Sequence, residues 1–109
     1  MKPRKLNHKV IPTQDPDRAY RFWRDVFDIP QAGPSNQRHL RLDQEDLTFV
    51  VGPTQKNFEL LARDHQASLR QHLANNFVPI LRTEERYGNK IAFIVNDSEG
   101  NQITIGVNQ

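Results

Sequence analysis

The 109-residue chain carries 15 Lys plus Arg against 13 Asp plus Glu, no cysteine, and only 36% hydrophobic residues. That length suits one domain, residues 1–109, and so lean an apolar fraction, with a mean hydropathy of −0.77, makes a homodimer with a shared core the expected assembly. The composition excludes disulfides, thiolate nucleophiles and Cys-type zinc sites. The dispersed positive charge argues against nucleic acid as a partner, and the lack of an apolar run of ~20 residues or a signal-peptide core argues against a membrane and for the cytoplasm.

Leu6 to Thr13, "LNHKVIPT", is predicted as a first strand. In "QDPDRAYRFWRDVFDIP", Asp15 suits an N-cap, Pro16 the first helical position, and Asp17 the positive end of the helix dipole. Ala19, Phe22, Trp23, Val26 and Phe27 make one apolar stripe of a helix that Pro30 ends. A loop, "PQAGPSNQ", leads to the strands "RHLRLD" and "DLTFVVG" joined by "QE". The second half repeats this order: strand "FELLAR", helix "DHQASLRQHLANNF", strand "VPILRTEERY", a Gly88-Asn89 turn, strand "KIAFIVN", turn "DSEGN" and strand "QITIGVN". Asp15 and Asp64 stand at the two strand-to-helix junctions. Two strand-dense halves, about 1–53 and 54–109, each with one helix, make the chain α+β.

Three segments resemble the vicinal oxygen chelate superfamily, which includes glyoxalases, bleomycin-resistance proteins and extradiol dioxygenases. "LNHKVIPTQD" resembles its opening Leu-x-His strand ending in Asp. "AYRFWRDVFDI" is similar to its first helix, with Trp23 for a Tyr and Asp28 for a Gly. "NDSEGNQITI" is similar to its closing hairpin, with Ser98 for a Pro. The resemblance implies two βαβββ modules forming an incomplete barrel, with helices on the convex face and a ligand cavity on the concave one. Ile11, Phe22, Trp23, Phe49, Val51, Ile103 and Ile105 would form the convex core.

In metal-dependent members the ligands implied fall on His8, Thr48, Asn57 and Thr104 of this chain. Only His8 is a competent donor, whereas a divalent ion takes about three His or carboxylate ligands. No cofactor is therefore expected. Strand alternation puts Glu59 on the face of Asn57, and His39 and Arg41 on one face, so a shifted site of His8, Glu59 and His39 is the alternative. The expected function is binding of a small organic ligand in a cavity lined by His8, His39, Arg41, Thr48, Asn57, Glu59 and Thr104. An anionic or aromatic ligand suits Arg41; cationic bleomycin does not suit a mildly basic chain. The alternative is a lyase, isomerase or dioxygenase using Zn, Ni, Mn or Fe through His8 and Glu59. A further alternative, an RNA-binding α+β domain, needs open aromatics on strands such as Phe49, Phe58 and Phe93. His65 and His72 are expected in solvent, and "RTEERYGNK" as a wet edge. In "DSEGN", Gly100 and Asn101 suit positive φ and Asp97 suits the turn amides.

Overall fold

A computed structural model of the chain describes residues 1–33 and 39–108. Its elements are β1 (Pro3–Leu6), β2 (Val10–Thr13), α1 (Pro16–Asp25), β3 (Leu40–Leu42), β4 (Glu45–Val51), β5 (Phe58–His65), α2 (Gln66–Asn75), β6 (Arg82–Arg86), β7 (Lys90–Asn96) and β8 (Gln102–Asn108). The predicted loop residues 34–37 and Arg38 lie outside the described residues. No helix is long and apolar enough to cross a membrane among those described.

Asp15 caps α1 as its position predicts, accepting from the N–H groups of Asp17 and Arg18. Pro16 fills the first turn, where its missing N–H costs nothing. The helix ends at Asp25 with Val26 as its C-cap, and the chain turns away before Pro30 at Asp28, whose φ of 55° is left-handed; this is the position where the resembling family carries Gly. α2 starts differently. Its N-cap is His65, with no side-chain cap bond, and Asp64 instead accepts from the N–H of Lys2. His65 is exposed as expected, whereas His72 is half-buried: its Nε2 lies 2.6 Å from the carbonyl oxygen of Val26, tying α2 to the end of α1.

The strands form two sheets, ordered β1-β5-β8-β7-β6 and β2-β4-β3, and neither closes into a barrel. The α+β architecture with a repeated module follows from the pairing. β2 runs parallel to β4 with α1 between them, as β5 runs parallel to β8 with α2 between them. The first-half counterpart of β6 shrinks to one bridge, Gln31 to Leu40. The predicted first strand, in contrast, is two strands in two sheets. Asn7 makes the crossing: its side chain donates to the carbonyl of Asn57 and accepts from the N–H of Glu59, so the β5 edge stays paired where the strand breaks.

One apolar cluster draws on both halves, with Trp23, Phe27, Phe58 and Phe93 fully buried. Trp23 meets Phe27 and Phe58 edge-on, at 4.8 and 6.0 Å between ring centroids. Each such side chain contributes roughly 1.5–3 kcal/mol through burial. Ile11, Ile103 and Ile105 are buried as expected, and Phe22 and Phe49 pack half-buried against them. Val51 is not core; it is 77% exposed at the end of β4, where burial fades along Leu47, Phe49 and Val51.

Candidate functional site

Alternation along β5, β7 and β8 sends one set of side chains to the core and the other to an open cup. Ile91, Phe93, Val95, Ile103 and Ile105 face the core. Ala92, Thr104 and Gly106 line a cup of about 320 Å³, with Glu59 and Leu61 from β5. Glu59 pairs in register with Thr104, and Ala92 with Gly106. A Cβ on Gly106 would stand 3.1 Å from Leu61 Cδ2, so glycine keeps the floor open. The rim carries Arg4 from β1 and Arg86 and Lys90 from the β6–β7 hairpin. Arg86 Nη2 lies 3.4 Å from Glu84 Oε2 and 3.9 Å from Glu59 Oε1. Lys90 donates to Asn108.

A second depression, also about 320 Å³, lies on the other sheet against α1, lined by Pro16, Tyr20, His39, Asp46, Leu47, Thr48 and Phe49. The cavity residues expected from the sequence are thus divided. Glu59 and Thr104 line the cup, and His39 and Thr48 line the second depression. Arg41 lines neither; its Nε donates to Asp46 Oδ1 at 2.8 Å, its register partner. That bond raises the Arg41 pKa and lowers that of Asp46. His8 and Asn57 stand at the crossing between the sheets, with Nδ2 of Asn57 3.3 Å from His8 Nε2, and His8 edge-on to Phe58.

These placements test the fit of a metal. The four positions matching the ligand set fall in three places, and three of the four side chains are a hydroxyl or an amide. The shifted set of His8, Glu59 and His39 is spread over the same three places. Among the described residues, no three His, Cys, Asp or Glu side chains gather closely enough to hold an ion. The residues present do not fit the superfamily's metal. Of the three aromatics that an RNA platform would need open, Phe58 and Phe93 are buried and Phe49 is half-buried.

Solved structures similar to this chain include lactoylglutathione lyase from Agrobacterium tumefaciens, with a TM-score of 0.71 and 17% identity over 90% of this chain and 89% of that one. A glyoxalase/bleomycin resistance protein/dioxygenase superfamily member from Sphaerobacter thermophilus gives 0.64 and 18%, over 90% and 92%. The chain has the glyoxalase fold. The fosfomycin resistance protein FosX from Mesorhizobium loti shares this glyoxalase fold at a TM-score of 0.60 and 14% identity, over 96% and 92%. The superfamily that the sequence motifs resemble is the one named for the Sphaerobacter neighbour. No family model matches the chain, and no curated protein matches it. At these identities the likeness is one of fold.

Sequence reasoning missed Arg4, Arg86 and Lys90 as cup residues. Arg86 and Lys90 sit in "RTEERYGNK", read as a wet edge, which it also is: β6 is the outer strand and Tyr87 is fully exposed. Their signal was alternation across the Gly88-Asn89 turn, which puts Arg86 opposite Lys90. Arg4 had none, since its placement depends on β1 pairing with a strand of the other half.

Proposed function

We propose that this protein binds a small organic molecule in the cup of the five-stranded sheet and does so without the superfamily's usual metal. The donor set carries this reading: a hydroxyl at Thr104 lies in the cup, and the one imidazole among the matching positions, His8, lies outside it. The cup volume falls at the lower end of the ~300–1,000 Å³ range of small-molecule sites. A lyase, isomerase or dioxygenase working through Zn, Ni, Mn or Fe has no comparable support in the side chains.

The homodimer expected from composition belongs to the same proposal. Its best candidate face is the three-stranded sheet, where β2 is an edge strand and Val10 and Val51 are 57% and 77% exposed. Light scattering across a concentration series tests the assembly. For the site, a fragment library added to ¹⁵N-labelled protein in EDTA is expected to shift the amides of Ala92, Thr104 and Gly106. Binding that appears only after a divalent metal is restored would overturn the reading.

A further inference from the structure

We infer that the molecule bound in this cup is an amphipathic organic anion, a carboxylate or phosphonate head on an apolar body, held by Arg4 and Arg86. The inference rests on the cup proposed above and adds the chemistry of its occupant. The lining supplies three cations against one carboxylate, Glu59. Low-dielectric walls concentrate such a field on a small anion.

The position of Arg4 is specific. β1 pairs with β5 as Pro3 to Ala62 and Lys5 to Leu61, an irregular register that makes Arg4 the extra residue of a bulge. Bulges re-aim a side chain, and here the re-aimed residue lines the cup. Arg4 has no ion-pair partner among the described residues. β1 is therefore more than a tether: it brings a cation from the start of the chain to a site built by the second half.

Arg86 offers the fork. Its carboxylate neighbours at 3.4 and 3.9 Å are beyond the roughly 2.7–2.9 Å of a charge-assisted bond. A guanidinium held that loosely keeps donors for a planar two-oxygen acceptor. The floor matches an apolar body: Leu61 is 45% exposed into open space, beside Ala92 and Gly106. A cationic ligand would have Glu59 alone among the lining residues to meet it.

The test titrates phenylacetate, benzylphosphonate, phenylacetamide and benzylamine into ¹⁵N-labelled protein. Shifts at Ala92, Thr104 and Gly106 are expected from the anions, with at least tenfold tighter binding than the amide or the amine. The tighter of the two anions identifies the head group. Arg4→Ala and Arg86→Ala, both on exposed strand positions, are each expected to weaken the anion at least fivefold and phenylacetamide by less than twofold. If all four compounds shift these amides with equal affinity, the cup stands as a binding site and the anion inference is overturned. If none shifts them, both fall.

Discussion

Arg18 and Glu99 meet in a two-point ion pair across 81 residues of sequence, Nε to Oε2 at 2.7 Å and Nη2 to Oε1 at 3.1 Å. The Glu99 side chain is fully buried, whereas that of Arg18 is half exposed. The same carboxylate accepts from the N–H groups of Gln14 and Asp15 and from Ser98 Oγ, each at 2.8 Å. The β7–β8 turn thereby holds the entry to α1, where a negative charge also suits the helix dipole. Asp97, two residues earlier, takes Trp23 Nε1 and the N–H groups of Glu99 and Asn101. One turn fixes the helix of the other half.

Replacing Glu99 with Ala strands Arg18 and two backbone amides. The expected cost is about 1–3 kcal/mol, that of backbone amides left without an acceptor, since the half-exposed Arg18 side chain stays hydrated. Urea unfolding measures it; a loss under about 1 kcal/mol would mean the pair does little.

The pH dependence follows from the same residue. Chiefly the hydrogen bond from Arg18, with the Asp15 amide, Ser98 and the Gln14 amide, lowers the Glu99 pKa from 4.5 to about 2. A folded pKa below the unfolded one stabilises the fold above the unfolded value, and that contribution fades as pH falls from 4.5 towards about 2. Stability of the wild type is expected to drop more steeply across that window than stability of Glu99→Gln. Parallel curves would contradict the assignment.

Phe77 is a non-glycine residue with φ of 59° just after α2, and its side chain is 92% exposed. Left-handed backbone costs a side-chain-bearing residue roughly 1–2 kcal/mol. Phe77→Gly is expected to stabilise the isolated chain by about 0.5–1 kcal/mol, after the extra unfolded-state freedom of glycine is counted. A rise in Tm checks this.

Gly106→Val places a branched side chain on the floor of the cup against Leu61. Leu61 can turn aside, so the fold is expected to survive while phenylacetate affinity falls at least tenfold. Unchanged affinity in a folded variant would place the ligand elsewhere.

The fold was legible where local chemistry decides it. Asp15, Pro16 and the Ala19-Trp23-Val26-Phe27 stripe specify α1, and Asp97 and Gly100 specify the last turn, with Gly100 at φ 90°. Asn101 escaped the reading. Its φ is not positive; it is buried, donating to Pro12 and Asp97 and accepting from Gln55 N–H. The site was half legible, because alternation orders residues within a strand but leaves open which sheet each strand joins. Glu59 and Thr104 share the cup since β5 pairs with β8. His39, Thr48 and Arg41 went to the other sheet, and Arg4 arrived through a pairing between halves that no local pattern encodes.

The cup is expected to bind its ligand without a metal. Equilibrium dialysis of the purified protein against Zn, Ni, Mn and Fe, followed by elemental analysis and a phenylacetate titration, tests it most directly. The expected result is far less than one metal ion per chain and the same phenylacetate affinity with or without EDTA, in the wild type and in His8→Ala. One ion per chain, lost together with ligand binding in His8→Ala, would show that the cup depends on a metal.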